Sequence, residues 1–463
     1  MDFYLANLVV LGAGLVGAGY WQHQNNMTKL TLNQKEESNA DGDDLEAEAN
    51  GEDEAEMHQL ACKNEVDRFC QFRNGFLVVY GFAIAADWLQ GSFMYSLYKN
   101  TLQLPEPTIA TLFATGFVSG GISATFVGTY ADKFGRKRAC LAYCAIYAMS
   151  CMTMLSSNIG VLYFGRVLGG ISTTILFTAF ETWMIAEYSR LGFGYSDSAL
   201  STIYGTMSIL NGFIAVASGV IAQLLVKVSN NEVAPFLASV GCLGASAVLI
   251  SRSWAENFGT PQVTPIKSLR ASFDALPDSK ILVAIGSASC FLEGSMYVMV
   301  YSWSQAIISA REMASTTGHP PFGYIFANFM CALTLGSFFY AYVTRGGNSI
   351  QLSSDSVQLS LAASAVSLLV TVTTTGEAFR FWSFLVFEFC LGIYFPSIGY
   401  LKGNLFGNEI RGKVYGLLRV PLNAFVTVSL VTIAPGDASR ENRFMVCGGL
   451  LLVAVALMAR YIN

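Results

Sequence analysis

Residues 128–138 read GTYADKFGRKR and fall between two long apolar runs, roughly 106–131 and 139–157. Dense charge in so short a break makes a tight loop at a membrane surface, because charge is costly inside hydrocarbon. Gly128 and Gly135 permit close packing and a sharp turn, while Lys133, Arg136, Lys137 and Arg138 hold the loop on the cytosolic face. Two helices joined there supply a frame from which the rest of the chain can be counted.

The composition demands the same solvent. Of 463 residues, 53% are hydrophobic and 13% charged, whereas soluble proteins carry about 25% charged residues. A spanning helix needs about 20 apolar residues, and such stretches recur along nearly the whole chain, so a single anchor on a soluble domain is excluded. The net charge of −5 is set by one segment: 13 of the 32 acids but only four of the 27 bases lie between Gln22 and Phe69. The remainder, 19 acids against 23 bases, is mildly basic. The ten cysteines are scattered through apolar runs without a C-x-x-C pair and read as small buried residues rather than disulfides or metal ligands.

Counting outward from the loop predicts an all-α polytopic membrane protein of two six-helix bundles. Spans 1 to 6 lie near 71–98, 106–131, 139–157, 159–187, 198–227 and 233–251. A polar cytosolic linker, 252–279, holds Pro261, Pro265 and Pro277. Spans 7 to 12 follow near 280–309, 320–344, 356–374, 379–402, 411–433 and 443–462, so the bundles occupy 71–251 and 280–463. With the opening loop inside, short inner loops hold 13 Lys or Arg, including Lys402, and outer loops hold six, including Arg380. That bias obeys the positive-inside rule.

An uncharged run from Phe3 to Trp21 precedes these twelve. A cleaved signal peptide competes with a true span, but Asp2 replaces the usual basic start and the cleavage pattern is poor. Residues 1–21 are therefore predicted as an extra N-terminal transmembrane helix, with an extracellular N-terminus and a cytosolic C-terminus. The segment 22–70 that follows, with eleven acids between Glu36 and Glu56, is expected to be a disordered cytosolic linker. The sequon Asn26-Met27-Thr28 would then stay unmodified.

Six ionisable residues fall inside predicted spans: Asp87, Arg166, Glu181, Glu293, Glu388 and Arg419. Each costs roughly 2.5–3.5 kcal/mol at mid-bilayer even on the lenient insertion scale, which calls for a function or a partner. Five lie on spans 1, 4, 7 and 10. The halves correspond in register: Asp87 and Glu293 differ by 206 positions, Glu181 and Glu388 by 207, and Asn211 and Arg419 by 208, against 208 between Gly128 and Gly336. Arg419 precedes Pro421, which frees a carbonyl and permits a kink, and its planar five-donor fork suits an oxyanion. The competing reading of Arg419 is a salt bridge to Glu388 or Glu293. Four acids against two arginines leave the set negative, a conflict that eases if one or more of Glu181, Glu293 and Glu388 carries a proton. Tyr297, Asn328, Tyr394 and Asn423 are further candidate donors, although at these spacings such residues are more often helix-packing contacts.

The pattern G-x-x-x-D-K-x-G-R-K, with Gly128, Asp132, Lys133, Gly135, Arg136 and Lys137, resembles the signature loop of the major facilitator superfamily, which joins helices 2 and 3 on the cytosolic side. Arg166 and Gly170 in RVLGG resemble a second motif of that superfamily, with Asp87 as the expected partner of the arginine. The segments AADWLQ (85–90), GRVLGG (165–170), AFETW (179–183), SWAEN (253–257), GIYFPS (392–397) and RVPL (419–422) resemble its molybdate-anion transporter branch over roughly 71–460. The long acidic insert departs from it. The resemblance implies spans 1, 4, 7 and 10 around a central cavity and high-affinity uptake of molybdate across the plasma membrane by alternating access. Proton coupling would run through Asp87, Glu181, Glu293 or Glu388. The second copy of the loop, after Gly336, lacks the acid and the basic cluster, so the first is expected to act alone as a gating loop, bracing spans 2 and 11.

By residue chemistry alone Arg166 and Arg419, the candidate anion-binding residues, would serve sulfate as well as molybdate, since both are divalent tetrahedral oxyanions. No catalytic constellation, phosphate-binding loop or metal-spaced ligand set occurs, so a secondary transporter with no cofactor, not an enzyme, is expected. The partners would be the lipid bilayer and a small anion, with no nucleic acid, and the chain a monomer. The rival reading is a transporter-like membrane sensor or scaffold signalling through the acidic segment.

Overall fold

The structure, a computed structural model, describes residues 3–42, 52–192, 197–259, 279–316, 318–406, 408–432 and 436–462. The described residues are mostly helical. Helix α1 (Phe3–Gly42) is the extra N-terminal element, and span 1 is α2 (Glu52–Gly91). A short turn, Met94–Ser96, and a π-turn, Leu97–Thr101, follow. Span 2 is divided into α3 (Glu106–Ser123) and α4 (Val127–Phe134). Spans 3 to 6 are α5 (Arg136–Thr153), α6 (Ile159–Leu191), α7 (Asp197–Ser229) and α8 (Ala234–Ser253). Spans 7 to 12 are α9 (Ser279–Met313), α10 (Phe322–Val343), α11 (Ile350–Thr373), α12 (Glu377–Leu405), α13 (Asn408–Val431) and α14 (Asp437–Tyr461).

Ten of the described helices are long and apolar enough to cross a membrane, or eleven with the α3–α4 pair as one span. Helix α5 opens on three basic residues, and the apolar part of α13, Leu418–Val431, is short. The bend of 52° between α3 and α4 was not expected from a continuous apolar run. Ser123 Oγ donates to the Gly120 carbonyl (2.9 Å) and Thr125 Oγ1 to that of Ile122 (2.8 Å). Such hydroxyl back-bonding competes with the helical ladder where it breaks.

Where the sequence argues for an unfolded linker over 22–70, the backbone is helical up to Gly42 and again from Glu52. Residues 43–51, most of the central linker (260–278), and the side chains of the sequon and of Arg411 and Lys413 lie outside the described residues.

Each bundle is built on close helix approaches at glycine. In the first, a Cβ on Gly170 of α6 would overlap Ser119 Oγ and the Gly116 carbonyl of α3. In the second, a Cβ on Gly392 of α12 would overlap the Leu333 carbonyl of α10 and stand 2.9 Å from Gly336 Cα. Apolar helices in lipid associate through such contact rather than through the hydrophobic effect. The halves meet along α7 against α10 and α3 against α13. Among the described residues, the hydrogen bonds between halves lie at the end opposite the 128–138 loop. Tyr301 Oη and Gln305 Nε2 of α9 reach Glu106 of α3 (3.3 and 3.1 Å), and Gly323 N donates to Gln223 Oε1 (2.9 Å).

Helix α1 packs along α10. Leu8 and Leu15 are buried with Ala327, Cys331 and Phe338, flanked by Ile209 and Phe213 of α7, so α1 covers the seam between halves. At one end the Tyr4 hydroxyl donates to Glu377, which also pairs with Arg311 (2.8 Å). At the other, Trp21 meets Tyr342 and Arg345.

Candidate functional site

The 128–138 loop is ordered by its own half. Arg136 pairs with Asp132 one helical turn back (2.7 Å) and donates to the Thr182 carbonyl of α6 (3.1 Å). Lys137 Nζ caps α8 through the carbonyls of Trp254 (2.7 Å) and Ser251 (3.2 Å), and its backbone N–H binds Glu256 Oε1 (2.8 Å). Gly135, at φ +108°, lies so close to Glu256 that any side chain would collide with that carboxylate. Trp254 stacks on Trp183 with ring centroids 3.7 Å apart, and Asn257 donates to the Trp183 carbonyl (3.2 Å). Among the described residues the loop binds α6 and residues 251–259, and the expected brace between spans 2 and 11 would involve residues outside them. The facing side chains of α13 up to residue 417 lie outside the described residues. Lys133 leans on the Phe134 ring, and Gly128 faces Thr178.

In the first half, Asp87 accepts a hydrogen bond from Tyr147 Oη (2.6 Å) instead of pairing with Arg166. The two are near enough to feel each other's charge. Arg166 lies over the Phe113 ring (5.4 Å), with Nη1 3.7 Å from Met94 Sδ and Nε 3.4 Å from the Leu112 carbonyl. The guanidinium occupies the space a side chain on Gly116 would fill. It is a packed, half-buried cation rather than an open one. Glu181 accepts from Tyr204 Oη (2.8 Å), and Asn211 from Trp88 Nε1 (2.9 Å).

The second half holds a cluster of mixed charge. Glu293 of α9 accepts from Tyr394 Oη (3.0 Å) and pairs with Lys402 Nζ (3.8 Å), both from α12. Tyr394 Oη also lies within hydrogen-bond distance of the Ser289 hydroxyl (3.2 Å). Lys402 was counted among loop residues, but α12 runs on to Leu405, and the lysine side chain is 15% exposed. Arg419 of α13 is exposed, makes no ion pair among the described residues, and lies within electrostatic reach of Lys402 and Tyr297. The salt bridge to Glu388 or Glu293 weighed for it is not formed. Tyr297 packs edge-on against Phe117 of α3 (4.6 Å), and Asn423 sits on Gly121, so this cluster adjoins the seam between halves. Lys402, within electrostatic reach of Arg419, adds a third cation to the two arginines counted against four acids.

Two sequence candidates belong elsewhere. Asn328 is fully buried and donates to the carbonyls of Tyr4 (3.0 Å) and Tyr324 (2.8 Å), so its amide anchors α1 and is not open to a ligand. Glu388 is 3% exposed, with no hydrogen bond or ion pair among the described residues. Arg380, counted in an outer loop, is 1% exposed within α12 and donates to the Ala306 carbonyl (2.9 Å). A cavity of ≈ 520 Å³ between α3, α6 and α13, lined by Thr115, Ser119 and Thr427, carries no ionisable side chain. Among the described residues no group of three or more His, Cys, Asp or Glu could hold a metal ion.

Comparison with known proteins agrees with this architecture. Residues 55–393 match a family of the major facilitator superfamily described as sugar transporters with 12 transmembrane segments. A molybdate-anion transporter of Takifugu rubripes is 28% identical over 427 residues, covering 84% of this chain and 87% of that protein. One of Xenopus tropicalis is 28% identical over 398 residues, covering 84% and 85%. The solved structure of the nucleoside transporter NupG superposes with a TM-score of 0.64 at 13% identity, over 85% of this chain and 99% of that one. The POT family transporter PepTSo gives 0.68 at 11%, over 84% and 97%. The chain belongs to this twelve-span family of the major facilitator superfamily.

Proposed function

We propose that this protein is a secondary transporter that takes up molybdate, or a closely related tetrahedral oxyanion, across the plasma membrane by alternating access. The observation that carries the reading is Arg419, an exposed guanidinium with no carboxylate partner among the described residues, standing within electrostatic reach of Lys402 beside the seam between the halves. A fork of N–H donors next to a point cation suits a divalent oxyanion. The relatives named molybdate-anion transporters support molybdate as that anion. On this reading the 128–138 loop is cytosolic, the substrate enters from the opposite side, and the acidic stretch after α1 lies in the cytosol.

The test is uptake of labelled molybdate into cells lacking their own transporter, with sulfate as competitor. Arg419→Ala is expected to abolish uptake while the protein still reaches the membrane. Normal uptake by that variant would overturn the anion site, and displacement by equimolar sulfate would broaden the substrate class.

A further inference from the structure

We propose that Tyr301, Gln305 and Arg443 form an outer oxyanion site, filled in this structure by the carboxylate of Glu106, which an arriving anion displaces to open the far end. The identity of that anion rests on the oxyanion reading above, whereas the site itself rests on the donors gathered around Glu106.

Both oxygens of that carboxylate are held, each by a different bundle. Oε1 accepts from Tyr95 Oη (2.7 Å) and pairs with Lys99 Nζ (2.8 Å), both of the first half. Oε2 accepts from Gln305 Nε2 (3.1 Å) and Tyr301 Oη (3.3 Å), both on α9 of the second. The grips are unequal: short and charge-assisted on one side, longer and neutral on the other. When the halves part, Glu106 therefore stays with Lys99, and Tyr301 and Gln305 lose their acceptor.

Helix α14, packed on α9, adds a cation to those donors. Arg443 lies within electrostatic reach of Glu106 and Tyr301 but forms no ion pair with that carboxylate. Its Nη1 donates to Ser439 of its own helix (2.9 Å), while its Nε is buried with no hydrogen-bond partner. A buried guanidinium N–H without an acceptor is costly, and an acceptor larger than the tethered carboxylate would satisfy it. A tetrahedral oxyanion can take Tyr301, Gln305 and Arg443 together, and its charge then repels Glu106 beside it. Because Glu106 fills the place when the halves are closed, the anion binds the open state alone and so draws the population toward it. The Lys99 side chain is 40% exposed and that of Glu106 19%, so the site meets water at the far end.

Its position suits capture. Glu293, Tyr297, Tyr301 and Gln305 recur every four residues along α9, about 6 Å apart on the helix axis. Tyr297 is within electrostatic reach of Arg419. An anion held at Tyr301 thus waits one helical turn outward of the Arg419 site.

The test is equilibrium binding of labelled molybdate to purified protein in detergent, with Arg419→Ala as the background that silences the deeper site. This background is expected to bind little, because Glu106 fills the outer site. Adding Glu106→Ala is expected to restore binding, and adding Arg443→Ala as well should weaken it by about tenfold or more, the loss of one charge-assisted contact. Equal binding with and without Glu106, or with and without Arg443, would overturn the proposal. Formate gives a second measurement that does not depend on molybdate. In protein carrying Glu106→Ala and a reporter thiol at Tyr297→Cys, formate should take the place of the lost carboxylate and slow labelling from the far side several-fold; labelling indifferent to formate would also overturn the site. Formate protection in a protein whose wild type takes up neither molybdate nor sulfate would keep the site and overturn the oxyanion reading instead.

Discussion

Single residues decide how closely these helices approach and which charges stay available. Gly170 has no room for a side chain against Ser119 and Gly116, so Gly170→Val must push α6 off α3. Forced overpacking of this kind costs about 1–3 kcal/mol. A fall of several degrees in the melting temperature of the detergent-solubilised protein is expected, while Gly241→Ala, whose Cβ meets nothing within 4 Å, should leave it unchanged. Arg419 supplies the contrasting prediction. Arg419→Lys keeps the charge but loses the planar fork, so KM for molybdate should rise by about tenfold with little change in melting temperature; an unchanged KM would mean that charge alone is read. Arg166 and Arg419 were equivalent in the sequence because both are arginines in apolar runs. Only packing separates them: one lies over Phe113, the other is exposed beside Lys402.

At the scale of the helix, hydropathy and the 128–138 loop were enough to place all twelve predicted spans near helices, because a spanning helix needs a long apolar run and the loops interrupt it with charge. The break at 124–126 was not legible, since it arises from hydroxyls bonding back to the ladder within an unbroken apolar stretch. Lys402 was hidden for a related reason. A lysine near the end of a span looks like a topology signal, and only the continuation of α12 to Leu405 turns it inward to Glu293. Helix α1 was legible as a span, but not as a cover for the seam between α7 and α10. Its Tyr4 donates to Glu377 and its Tyr4 carbonyl accepts from Asn328. Tyr4→Phe removes one bond to a carboxylate, worth about 1.5–3 kcal/mol, and is expected to lower the melting temperature. Deleting residues 1–21 should lower it further by uncovering the faces around Cys331 and Phe338. Intact-mass analysis that found Tyr4 missing from the mature protein would contradict this role for α1.

Across the whole molecule, the two ends are held by different means. The end away from the 128–138 loop is tied across the halves: Glu106 gathers Tyr95, Lys99, Tyr301 and Gln305, the last two from the opposite bundle. At the loop end, the described bonds of Asp132, Arg136 and Lys137 stay within the first bundle and grip the entry to the central linker. Among the described residues, this asymmetry fits a carrier closed on the far side, with the loop gripping the point where the linker leaves. Glu106 is then the residue whose loss should shift the balance. Glu106→Ala removes two contacts between bundles, each worth about 1.5–3 kcal/mol where the acceptor is charged, and about 1.4 kcal/mol already changes a two-state population tenfold. In a variant carrying a reporter thiol at Tyr297→Cys, beside the seam, adding Glu106→Ala is expected to speed labelling by a membrane-impermeant reagent from the far side by about tenfold or more. Bound molybdate should slow that labelling again if the anion draws the halves together. Equal labelling with and without Glu106 would show that α7 against α10 and α3 against α13 hold the far end closed unaided.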